Sequence, residues 1–124
     1  MRRLAVTIAL VFELSGYGCT STVQSNVAAP IVSEGERSAA MSQLLDCQLA
    51  AARQFDDGKS DAATIGRAVT TLCTRQSEGV FETLTRGQPE VRVRALRERW
   101  PQSVNDWSTT AVLHVRSSTK SSQP

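Results

Sequence analysis

The sequence predicts an all-α domain: a disulfide-stapled antiparallel helical hairpin with one or two further short helices. Three observations lead there. Two stretches with helical spacing of apolar residues, SEGERSAAMSQLLDCQLAAARQF and SDAATIGRAVTTLCTRQ, flank a turn at Asp57-Gly58-Lys59. Each carries one cysteine, Cys47 or Cys73, on its apolar face. A third apolar stripe follows between Pro89 and Pro101.

Ser33 followed by Glu36 has capping-box spacing, and Glu34 and Glu36 place negative charge where the helix dipole favours it. Ala40, Met41, Leu44, Cys47, Ala51 and Phe55 then recur at three-and-four spacing, with Leu45 and Ala52 widening that face and Ser42, Asp46 and Arg53 opposite it. Gly58 is the stop, because glycine takes a left-handed conformation without a Cβ penalty. Ser60 or Asp61 caps the second helix, whose stripe is Ile65, Val69, Leu72, Cys73, Gln76 and Val80, with Ala62 and Ala68 as small flanks. It is expected to reach about Arg86, with Gly87 as its cap, and Gly66 and Gly79 are its weak points.

Cys47 lies about 11 residues before the turn and Cys73 about 15 after it, so at ~1.5 Å rise per residue their levels differ by roughly 5 Å. A helix crossing absorbs that, and a bond between them closes a loop worth ~3–4 kcal/mol in the chain-entropy model. Small domains with alanine-rich cores often need such a staple.

The third helix, PEVRVRALRERW, starts at Pro89 and is expected to end at Pro101, with Val93, Leu96 and Trp100 on one face. That stripe, after a linker of only Gly87 and Gln88, is expected to fold Trp100 back on the hairpin and cover part of Leu45, Leu49 and Phe81. Residues 103–116 read as a fourth helix through Val104, Trp107, Ala111 and Val115, although TTAVLHV has the β-branched content of a strand. The division is then residues 1–18 as signal peptide, 19–32 as flexible tether, 33–116 as helical domain and 117–124 as disordered tail.

The beginning of the chain reads as an export signal. Arg2 and Arg3 precede LAVTIALVF, an apolar run too short to span a bilayer, and Gly16 and Gly18 precede Cys19. Small residues there suit signal peptidase I. The stretch LSGYGC also resembles the lipobox of bacterial lipoproteins, with Gly16 where that pattern prefers Leu and Tyr17 where it prefers a small residue. The resemblance implies cleavage before Cys19, its lipidation, and anchoring in the bacterial cell envelope facing the periplasm; a secreted or soluble periplasmic protein is the alternative. Cysteine arithmetic favours lipidation: if Cys47 pairs with Cys73, Cys19 is left as an orphan thiol in an oxidising compartment. The segment DDGKSDAATIGRAVTTLC is also similar to small exported bacterial helical proteins of uncharacterised function, which supports the hairpin and implies no activity.

Composition narrows the function classes. The chain has 124 residues, 21% charged and 40% hydrophobic, with a formal charge of +2. Without residues 1–18 it keeps 12 basic and 11 acidic groups. No global field argues for nucleic acid. Gly58-Lys59-Ser60 ends like a phosphate-binding loop, but Arg53 stands where the first glycine belongs and a helix precedes it. Asp56, Asp57 and Asp61 lack calcium-loop spacing and read as turn and capping acids. Cys47 and Cys73 do not form the C-x-x-C of a redox exchanger. His114 is the only histidine, with no cysteine near it in sequence to share a metal. Arg92, Arg94, Arg97 and Arg99 are interrupted by Glu90 and Glu98 and read as a solvated face. No catalytic group, metal or cofactor is expected. Two readings remain: a membrane-tethered interaction or structural module, for which Trp100 and Trp107 are the candidate contact residues to a protein partner or a second copy, and a small-ligand or inhibitor-type binder with a pocket between the hairpin and the third helix.

Overall fold

Ser33 opens the first helix as the capping-box spacing requires. Its hydroxyl accepts the Glu36 N–H at 3.1 Å, and Glu36 Oε2 accepts the Ser33 N–H at 2.9 Å. The structure is a computed structural model that describes residues 32–121. The expected signal peptide with Cys19, and the tether as far as residue 31, lie outside the described residues. Val32, placed in the tether by the sequence, is buried.

The described residues form four helices in order: α1 (Glu34–Phe55), α2 (Ala62–Leu72), α3 (Thr74–Thr85) and α4 (Glu90–Ser121). The pairs Glu36–Arg86 and Cys47–Cys73 show that α2 and α3 run antiparallel to α1. Gln48–Ser108 and Asp56–Arg116, both 60 residues apart, show that α4 runs parallel to α1. The chain is therefore an up-down-up three-helix bundle whose middle strut is broken once, and the all-α class and the Cys47–Cys73 pair hold. The core collects Leu44, Ala52, Val69, Cys73, Val80, Phe81, Trp100, Val104 and Val112.

The turns follow residue chemistry. Asp57 accepts the N–H groups of Lys59 and Ser60 at 2.9 and 2.7 Å, and Gly58 takes a φ of 69° between them. Asp61, rather than Ser60, caps α2 by accepting the Thr64 N–H. Gly87, at φ 73°, turns the chain after α3.

Three expectations need correction. The single helix expected to reach Arg86 is two helices, and the break falls at Cys73 rather than Gly79, which sits inside α3 without interrupting it. The third and fourth helices are one: Pro101 lies within the 32-residue α4. An interior proline costs about 3 kcal/mol, but Pro101 is exposed, and Trp100 and Val104 on either side of it are buried in one core. Trp107 also stacks edge-on against Trp100 at 5.5 Å, bridging the proline along the helix. Finally, α4 passes Arg116 and continues to Ser121, where a tail is expected; Thr119 and Ser121 hydroxyls donate to carbonyls one turn back.

The stripes shift accordingly. Leu72 is 54% exposed and Met41, Leu45 and Phe55 are exposed, whereas Phe81, placed outside the seam by the sequence, is fully buried. The buried stripe runs Val69, Cys73, Ser77 and Val80, which turns Leu72 outward, and α4 covers the side of α3 that carries Phe81.

Candidate functional site

Trp100 fills the centre of the bundle, as its stripe predicts. It is 5% exposed, its Nε1–H donates to Ser77 Oγ at 3.0 Å, and it meets Phe81 edge-on at 5.4 Å. The indole N–H is thus satisfied where burial would otherwise penalise it. Trp107, one heptad on, is 36% exposed. The sequence pairs these residues as candidate contacts; the structure makes Trp100 a core residue and leaves Trp107 at the surface.

Trp107 is one wall of the candidate site. Between α1 and α4 runs an open groove of about 640 Å³, lined on α1 by Ser38, Met41, Ser42, Leu45 and Leu49 and on α4 by Trp107, Thr110 and His114, with Leu44, Gln48 and Ala111 deeper in. Met41, Leu45 and Leu49 recur every four residues, so one line of large apolar side chains faces the indole. Leu45 is 52% exposed. The third helix was expected to cover part of this surface; α4 instead packs beside it and leaves the groove open.

The groove has a fixed floor. Gln48 is buried and donates through Nε2 to Ser108 Oγ at 3.0 Å, and the Thr70 hydroxyl donates to the same oxygen at 2.9 Å. These three residues tie α1, α2 and α4 together at one level. Below them, Arg116 holds Asp56 through two parallel contacts, Nε to Oδ2 at 3.0 Å and Nη2 to Oδ1 at 2.6 Å, and Nη2 also donates to the Ser60 carbonyl at 2.7 Å. The Asp56 side chain is 7% exposed. The guanidinium of Arg116 holds the Asp56 carboxyl below its ordinary pKa, and Asp56 in turn raises that of Arg116. Asp57 is lowered to about 2 by the backbone N–H and hydroxyl of Ser60.

A second groove of about 590 Å³ lies between α1 and α3, with Ala39, Ala40 and Gly79 among its walls and Arg75, Arg86 and Glu36 around it. Gln76 Oε1, buried beside it, has no hydrogen-bond partner among the described residues.

The remaining predicted positions fall as follows. Cys47 and Cys73 are joined, with their Cα atoms 5.9 Å apart. Cys19 lies outside the described residues. His114 stands exposed at the groove and away from any ligand set: among the described residues no three His, Cys, Asp or Glu side chains are grouped to hold a metal ion. In the arginine run, Arg94 pairs with Glu90 and Arg97 with Glu78, and the Arg97 guanidinium also covers the Phe81 ring at 3.7 Å. No helix among the described residues is long and apolar enough to cross a membrane.

Sequence reasoning missed Gln48, Thr70 and Ser108, because a buried polar contact made across 60 residues leaves no periodic trace. It also missed the Asp56–Arg116 pair, reading Asp56 only as a turn acid. The groove residues were within reach: Leu45 and Leu49 lie beyond the width that one hairpin seam can bury. Comparisons with known protein families, with characterised proteins and with solved structures give no match.

Proposed function

We propose that this chain is a non-enzymatic interaction module of the bacterial cell envelope, tethered through a lipid on Cys19, that holds apolar side chains of a protein partner in the α1/α4 groove. The observation that carries the reading is the groove itself: Met41, Leu45 and Leu49 facing Trp107 across about 640 Å³, on a floor fixed by Gln48 and Ser108. An aromatic wall, an exposed thioether and leucines match the anchor pockets of protein interfaces, where a few large apolar contacts carry most of the energy. The orphan position of Cys19 and the LSGYGC stretch support the anchor.

Photo-crosslinking in intact envelopes tests it. A benzoylphenylalanine at Leu45 should capture a protein that the same group at the equally exposed Leu72 does not. Equal capture, or none, from both positions ends the reading. Mass spectrometry of the mature N-terminus, with Cys19→Ser as the release control, tests the anchor separately.

A small-ligand binder is the second reading, favoured by size: drug-sized ligands occupy pockets of about 300–1,000 Å³. A compound that raises the thermal midpoint of the native chain but not of Leu45→Glu would support that reading over the first.

A further inference from the structure

We infer that the break between α2 and α3 is imposed by the Cys47–Cys73 bond, and that reduction of this bond fuses the two into one helix, making the crosslink a redox-sensitive conformational device. The break falls on the half-cystine itself: Cys73 has φ −93° and ψ 17°, while α2 ends at Leu72 and α3 begins at Thr74. No glycine or proline lies between Val69 and Ser77, so neither of those residue types makes the break. Both flanking hydrogen bonds survive, Cys73 N–H to Val69 C=O at 3.0 Å and Ser77 N–H to Cys73 C=O at 2.9 Å, so the ladder is intact on either side of the break. The Thr74 hydroxyl donates to the carbonyls of Thr70 and Thr71 and so occupies acceptors that a continuous helix would use.

The two sulfurs are not equivalent to an incoming thiolate. Cys73 is fully buried, whereas Cys47 is half-buried. A thiolate of a dithiol reductant attacks Cys47 Sγ, the S–S bond breaks, and Cys73 leaves as a thiolate that takes up a proton. The second thiol of the reductant then displaces Cys47, leaving two protein thiols and one oxidised reductant. Released from α1, residues 72–75 close into helix. Because α3 carries Ser77 and Phe81, the motion changes the surroundings of Trp100.

The test compares backbone chemical shifts and amide exchange of the oxidised and dithiothreitol-reduced protein at low temperature. In the reduced state the Cα shifts of residues 72–75 should move to helical values, and exchange at Thr74–Gln76 should slow about tenfold, the protection that one added hydrogen bond gives. Thr74→Ala with the bond intact should keep the break. A reduced protein that stays folded with unchanged shifts, one that unfolds outright, or a Thr74→Ala protein whose break closes would each overturn the inference.

Discussion

Helix α4 packs against α1, α2 and α3, and it treats α1 and α2 differently. Against α2 it is closed: a Cβ placed on Gly66 would stand 2.6 Å from Thr109 Oγ1 and 3.0 Å from the Thr109 backbone nitrogen, so the two helices touch through their backbones. Against α1 it is held by core residues and by two levels of polar contacts, Gln48–Ser108 and Asp56–Arg116, and gapes beside them. The chemistry of the contact residues explains the contrast. A glycine lets helices approach, whereas Met41, Leu45, Leu49 and Trp107 line the groove with large side chains that no further layer among the described residues covers. The α2/α4 seam is closed by close backbone approach, whereas the α1/α4 groove leaves a line of large apolar side chains exposed, the surface that the proposed partner would cover.

The comparison can be broken most forcefully through Trp100. Trp100→Ala should destabilise the protein by about 3–5 kcal/mol in denaturant unfolding, because it opens the core between Phe81 and Val104 and leaves the Ser77 hydroxyl without its donor. Next comes the closed seam. Gly66→Ala gains helix propensity, yet the added methyl meets backbone as well as side chain on α4, so the net effect should be a loss of about 1–3 kcal/mol.

Acid should loosen the base of the bundle by a smaller amount. Asp56 and Asp57 both have pKa values depressed from 3.8, so their contribution is complete above that value and is lost as pH falls through the depressed values. The thermal midpoint should fall between about pH 4 and pH 2, and Asp56→Asn should lower the plateau above pH 4 and flatten that slope. An unchanged slope in Asp56→Asn would remove the Arg116 pair from the account. The open seam should be the least sensitive: Leu45→Ser should change stability by no more than about 0.5 kcal/mol, as an exposed substitution does.

How far the sequence could be read follows the same division. Caps, turns and the disulfide are local or periodic and were legible: Ser33–Glu36, Asp61, Gly87 and the two cysteines all stand where the spacing put them. The ends of the middle and last helices were not, because each depends on tertiary packing that overrides a local rule. Pro101 should have stopped a helix, but the core contacts of Trp100 and Val104 carry α4 through it. Gly79 should have weakened one, but the break went to Cys73, where a covalent bond reaches across to α1. The groove was half legible: Leu45 and Leu49 had no place in a two-helix seam, but the parallel course of α4 beside α1 follows from contacts 60 residues apart.

The two tryptophans offer the most direct measurement, since they lie 5.5 Å apart and on opposite sides of the distinction. Acrylamide quenching of the monomer should be weak in Trp107→Phe, which leaves the indole held by Ser77 and Phe81, and several-fold stronger in Trp100→Phe, which leaves the indole of the groove. Equal quenching of the two would contradict the account, showing either that the core is open or that the α1/α4 groove is already filled in the free protein.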